Sequence, residues 1–183
     1  MNDRDPAGGA AGAGRLRRPS ARPNGGFTIV ELMVTIAIVA ILLTVGIPSF
    51  RNVILNTRLT SLANELVSSV QIARSEAIKR NATVRLCASA NGTSCATTGS
   101  WEQGWIVLTA AGVVLRHEAL QSGWKVTEAG GLRELTFRPT GFGGSTASLR
   151  VCRANPLGNA ERVVAVGPTG GTSVQRTSSG SCS

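Results

Sequence analysis

Gly25-Gly26-Phe27-Thr28-Ile29-Val30-Glu31 opens an apolar run that continues to Ile47 and holds one ionisable residue, Glu31, near its start. As a helix this run reaches roughly 31 Å at 1.5 Å per residue, enough for the hydrocarbon core of a bilayer. A carboxylate inside such a helix costs roughly 2.5–3.5 kcal/mol on insertion scales. A passive anchor has no use for it, so the sequence asks for a partner to Glu31. On the other side of the glycines lies a basic, Gly/Ala-rich segment with Arg4, Arg15, Arg17, Arg18 and Arg22 against Asp3 and Asp5. That excess of arginine predicts a cytoplasmic N-terminus and an exported remainder. A cleavable secretory signal fits poorly, because its apolar region is usually only about 7–15 residues with a small-residue cleavage site on the far side.

Outward from the run, the pattern changes at Pro48. Leu55, Leu59, Leu62, Leu66, Val70, Ala73 and Ala77 recur at spacings of three or four, the stripe of an amphipathic helix. Arg51, Arg58, Asn64, Ser68, Arg74 and Lys79 fall mainly off it. One long helix from Phe27 to Arg80, kinked at Pro48, is therefore expected, with a sheet to cover its striped half. After Asn81 short runs alternate with Gly, Ser, Asn and Pro clusters: Thr83–Cys87, Gly104–Thr109, Val113–His117, Trp124–Thr127, Glu134–Arg138, Ser148–Cys152 and Arg162–Val166. Ala110-Ala111-Gly112 reads as a tight hairpin turn, and Trp101, Trp105 and Trp124 as packing residues. The expected class is α+β: a long N-terminal helix, transmembrane below and amphipathic above, packed on an antiparallel β-sheet. The boundaries expected are a leader at 1–26, a membrane helix at 27–47, its amphipathic continuation at 48–80 and a β-rich domain at 81–183.

The four cysteines, Cys87, Cys95, Cys152 and Cys182, all lie in the exported part. An even count in an oxidising compartment predicts two disulfides. Three connectivities exist; Cys87–Cys95, closing a short loop, and Cys152–Cys182, pinning the tail, are favoured. No C-x-x-C spacing and one histidine, His117, argue against a metal site. With no aspartate after Asp5 there is no nucleophile–base–orienter set either, so neither an enzyme nor a cofactor is expected. The formal charge is +9; without residues 1–26 it is +6, from 14 basic and 8 acidic residues. Such a charge bears on solubility and attraction to anions, not on fold.

Gly26-Phe27-Thr28-Ile29-Val30-Glu31-Leu32 resembles the processing site of type IV prepilins and type II secretion pseudopilins. The resemblance extends through Arg58–Cys87, Gly104-Trp105-Ile106-Val107 and Phe137-Arg138-Pro139-Thr140-Gly141, which look like minor pilins of the GspH/FimT family. It implies the pilin fold, cleavage after Gly26 by a prepilin peptidase, and methylation of the new N-terminal Phe27. It also implies that Glu31 pairs with the terminal amine of a neighbouring subunit in a filament. The partners implied are the peptidase, other major and minor pilins or pseudopilins, and the inner membrane, with the C-terminal domain in the periplasm. Ala73-Arg74-Ser75-Glu76-Ala77 points to the type IV pilus branch, with an H-type pseudopilin of a type II secretion system as the alternative.

Some FimT-like pilins are understood to bind DNA through arginines near the C-terminus, which makes Arg150, Arg153, Arg162 and Arg176 candidates here. Their last strand carries a glycine followed by alternating arginines. In the corresponding stretch, Thr169–Arg176, Gly171 and Ser173 occupy the places of two of them and Arg176 remains. The competing reading is a solvated basic face that keeps sheet edges from pairing.

Overall fold

A computed structural model describes residues 26–154 and 160–179, with only the backbone at positions 45, 48 and 49. The chain divides into two compact units, Met1–Thr44 and Val45–Ser183. The expected leader 1–26 lies outside the described residues apart from Gly26.

In the first unit, Gly26, Phe27 and Thr28 are neither helix nor strand, and helix α1 (Ile29–Arg80) begins two residues later than the sequence suggested. The reason is a cap. The Thr28 hydroxyl accepts the Glu31 N–H at 3.2 Å, and the Thr28 carbonyl accepts the Leu32 N–H at 3.1 Å. Thr28-Ile29-Val30-Glu31 thus has the spacing of a capping box, Thr at the cap and Glu three residues on. Beyond it the side chains are exposed on every side, among them Ile29, Met33, Ile36 and Leu42. Among the described residues no helix is long and apolar enough to cross a membrane. The side chain of Val45 is outside those residues, and Ile29 to Thr44 alone reaches about 24 Å, short of a hydrocarbon core of about 30 Å. The span 27–47 therefore rests on the sequence.

In the second unit the helix continues through position 48 without interruption to Arg80. Its stripe is buried: Leu59, Leu62, Ala63, Leu66, Val70, Ala73 and Ala77 are at most 2 % exposed. Asn81, with φ +49°, ends the helix, and the amides of Asn81 and Ala82 return to the carbonyls of Ile78 and Ala77. A left-handed residue that closes the last carbonyls is an ordinary helix stop, for which asparagine is the usual substitute for glycine.

Eight strands follow: β1 (Val84–Ala88), β2 (Trp105–Thr109), β3 (Gly112–His117), β4 (Trp124–Glu128), β5 (Glu134–Phe137), β6 (Ala147–Arg153), β7 (Glu161–Val166) and β8 (Thr172–Thr177). They build two four-stranded sheets, β3-β2-β1-β5 and β4-β6-β7-β8, rather than the single sheet expected; every pairing is antiparallel. β2 and β3 join through Ala110-Ala111, with Thr109 opposite Gly112 and a bulge at Val107/Leu108. Both sheets and the helix stripe share one core, in which Leu86, Val107, Leu135 and Phe137 of the first sheet join Val126, Leu149, Val151 and Val164 of the second. Trp101 stands in a 3-10 turn (Trp101–Gln103), 1 % exposed, and donates its indole N–H to the Leu132 carbonyl at 2.8 Å. Gly104, the next residue, has φ +105°, and a Cβ there would come within 2.6 Å of the His117 carbonyl oxygen. Only glycine lets β2 begin so close to the end of β3.

Helix and first sheet are fastened by a polar clasp as well as by apolar burial. The buried Trp105 indole donates to the Ser69 hydroxyl at 2.9 Å, and Ser69 donates to the Glu65 carbonyl at 2.7 Å. His117 stacks on Trp105 with ring centroids 3.7 Å apart and 9° between planes. The His117 Nε2 lies 2.7 Å from a Glu65 carboxylate oxygen. A buried indole N–H without a partner would be costly, so Ser69 on the helix makes this placement of Trp105 affordable. His117 is thus a structural residue here, with both ring nitrogens occupied, since Nδ1 lies 2.8 Å from the Glu118 carbonyl oxygen.

Cys87 and Cys95 form a disulfide, with Cα atoms 5.5 Å apart. It holds the loop after β1, which is also ordered by the Asn91 carboxamide oxygen accepting the amides of Thr93 and Ser94. Glu134 lies beside the two sulfurs, but disulfide sulfur is not the thiolate a metal needs. Cys152 is disulfide-bonded as well, and its expected partner Cys182 lies outside the described residues.

Candidate functional site

Two regions carry the sequence candidates. In the first unit Gly26 has open space around it, Phe27 is 82 % exposed, and Glu31 is exposed with no ion pair among the described residues. Phe27 and Glu31 are four residues apart, with Glu31 in the first turn of α1 and Phe27, the residue expected to become the N-terminus, just ahead of the helix.

The arginines of the second sheet fall on two faces. Residues directly opposite in an antiparallel pair share a face. Arg162 on β7 is opposite Val151 on one side and Arg176 of β8 on the other, so both arginines lie on the face that Val151 and Val164 turn to the core. Arg153 shares that parity, ends β6 opposite Trp124, and has its Nε and Nη1 atoms buried without a hydrogen bond. Arg150 is opposite Val163, on the other face. Its Nε is 3.6 Å from the Glu161 carboxylate, which is wholly buried and accepts from the Thr177 and Ser179 hydroxyls at 2.9 and 2.8 Å. Arg150 is therefore half-buried beside the buried carboxylate that holds the end of β8. The four candidates do not make one surface.

Arg162 and Arg176 do converge. With Val53, Asn56, Thr57, Thr60, Ser61 and Asn64 of α1 they line a groove of about 530 Å³. Arg162 is 3 % exposed, and it donates from Nη1 to the Glu161 carbonyl at 2.9 Å. Burial, and then the charge of Arg176, lower its pKa from the ordinary arginine value. No carboxylate lines the groove. Charge counting had selected both arginines, but it could not show that they pair across β7 and β8 against the helix.

Comparison with known proteins gives a consistent picture. The family model of type II transport protein GspH matches residues 62–170, and the prokaryotic N-terminal methylation motif matches residues 21–47. No curated protein sequence matches. Among solved structures, the type IV minor pilin FimU of Pseudomonas aeruginosa aligns in two crystal forms. One, at 20 % identity and TM-score 0.53, covers 65 % of this chain and 89 % of FimU; the other, at 22 % and 0.51, covers 64 % and 92 %. The minor pseudopilin EpsH from the type 2 secretion system of Vibrio cholerae aligns at 13 % identity and TM-score 0.48, over 64 % of this chain and 95 % of EpsH. The fold is the pilin fold, a helix packed on antiparallel sheets, and the matching family is one of structural subunits rather than enzymes. Matched over more than half of its length and carrying the methylation motif ahead of that match, the chain belongs to the GspH family, as a GspH/FimT-like minor pilin or pseudopilin.

Proposed function

We propose that the chain is a minor pilin of a type IV pilus, cut after Gly26 by a prepilin peptidase, methylated at Phe27 and built into the filament or its tip. Before assembly residues 27–47 hold it in the bacterial inner membrane, leader inside and β-rich domain in the periplasm. The observation that carries this reading is Glu31: an exposed carboxylate, without an ion pair among the described residues, in the first turn of an apolar helix and four residues from the expected new amine. A buried charge is tolerated when paired, and subunits at the wrong height would leave both charges alone. Glu31 therefore supplies register as well as attraction. The run Ala73-Arg74-Ser75-Glu76-Ala77 supports the pilus branch.

A second reading, an H-type pseudopilin of a type II secretion system, has the description of the matching family model in its favour. DNA binding is not part of the proposal, because Arg150 is engaged with Glu161 and faces away from Arg162 and Arg176. Glu31→Ala is expected to be inserted and processed normally but to fall at least tenfold in sheared filaments, read by immunoblot. Incorporation at the wild-type level would sink the Glu31 role. Secretion of exoproteins lost on deletion of the chain, with pili intact, would favour the second reading.

A further inference from the structure

The groove between α1 and the β7–β8 edge has a composition that the fold alone does not require. Two arginines stand directly opposite one another, Arg162 on β7 and Arg176 on β8. Like charges in such positions repel, and among the described residues neither has a carboxylate to balance it. Across the groove the helix offers the carboxamides of Asn56 and Asn64, while the Thr57 and Thr60 hydroxyls already donate to the carbonyls of Val53 and Asn56. With Ser61 donating to Glu65 and one Arg162 nitrogen donating to the Glu161 carbonyl, the groups left to the lining are two carboxamides and two positive charges with no anion among them. At one end Phe50, Val53 and Ile54 are 59–73 % exposed, an apolar shoulder next to the charged floor.

The chain has little of its own to offer that site. Glu65 is taken by His117 and Ser61, Glu76 by Arg80 and Lys79, Glu118 by Arg116 and Glu134 by Arg85. Glu128 accepts the amides of Gly130 and Leu132, Glu161 is buried, Glu102 is half-buried with Oε2 enclosed, and Glu31 is the carboxylate assigned above to a neighbour's terminal amine. A second copy would also bring the same net positive charge. We propose that the groove receives a carboxylate-bearing segment of a different, acidic pilin subunit, its Asp or Glu side chain held between Arg162 and Arg176 and its apolar neighbours seated on Val53 and Ile54. This rests on the reading of the chain as a filament subunit and adds where one neighbour sits and what chemistry it must have.

The experiment places a photocrosslinking amino acid at Thr60 in the full chain, in cells carrying the complete filament system. Thr136, on the first sheet, serves as a second position. Crosslinking at 60 is expected to give one adduct with a subunit of different mass, identified by mass spectrometry, with the crosslinked residue within a few positions of an Asp or Glu. Arg176→Glu, at an exposed position, should leave processing unchanged and cut that adduct at least fivefold; changing the partner's carboxylate to Lys should restore it. An adduct with a second copy, a nuclease-sensitive or lipid adduct, no adduct, or an adduct indifferent to Arg176→Glu would overturn the proposal. If the chain is absent from sheared filaments, the subunit reading itself fails; if it is present and the adduct at 60 is missing, only the groove proposal fails.

Discussion

The two halves of α1 are built from similar aliphatic residues and end in opposite situations. From Leu59 to Ala77 apolar residues keep to one stripe, and that stripe is at most 2 % exposed because both sheets close over it. From Ile29 to Thr44 they go all the way round, and Ile36, Leu42 and their neighbours stand 52–79 % exposed in the isolated chain. What differs is arrangement more than hydrophobicity. A stripe can be satisfied by one sheet of the same molecule, whereas a helix apolar on every side needs surroundings the chain does not supply. The family provides such surroundings, since its members are membrane-anchored and assembled into filaments.

That contrast can be broken experimentally. Leu66→Ala, in the stripe, should destabilise the domain by about 2–5 kcal/mol in denaturant unfolding of detergent-solubilised protein. Leu42→Ala removes the same atoms from the other half and should change the same measurement by less than about 0.5 kcal/mol. Equal effects would mean that the halves are not energetically distinct. A loss between those two is expected from His117→Ala, which removes the stacking on Trp105 and the contact with Glu65, by about 1–3 kcal/mol. The smallest effect lies at the helix end. A hydrogen bond from Arg80, helped by the charges of Arg80 and Lys79 and opposed by some desolvation, holds the Glu76 carboxyl below the ordinary carboxylate value. A depressed folded-state pKa stabilises above the unfolded value and is lost as pH falls through the folded one. Thermal melting should therefore show a slight extra acid sensitivity that Glu76→Gln removes.

Periodicity made the helix stripe legible, because burial on one face leaves a repeat of three or four in the sequence. The strands from β1 to β7 were legible within a residue or two for a different reason, as short runs bounded by Gly, Ser, Asn and Pro clusters. β8 was not: Thr172-Ser173-Val174-Gln175-Arg176-Thr177 holds one apolar residue, and from Ser173 to Arg176 all four side chains are exposed, so no apolar run marks it. The division into two sheets was hidden too, since it depends on which strands pair and not on any strand's own pattern. Of the candidate positions, Glu31 stands out in the sequence directly, as a charge in an otherwise apolar run, and its role is the one proposed above. The groove could not, because Arg162 and Arg176 are fourteen positions apart and meet only through the β7–β8 register.

Thr28 has a consequence for the order of events at the N-terminus. Proteases take their substrates unwound, and a helix that crept backwards over Gly26 and Phe27 would hide the bond at which cutting is proposed. By occupying the Glu31 amide, the threonine hydroxyl sets where winding starts, whatever precedes it in the chain. Under the proposed cut after Gly26 the same start would serve the shortened protein, so cutting would change the charge at the tip without requiring the helix behind it to rewind.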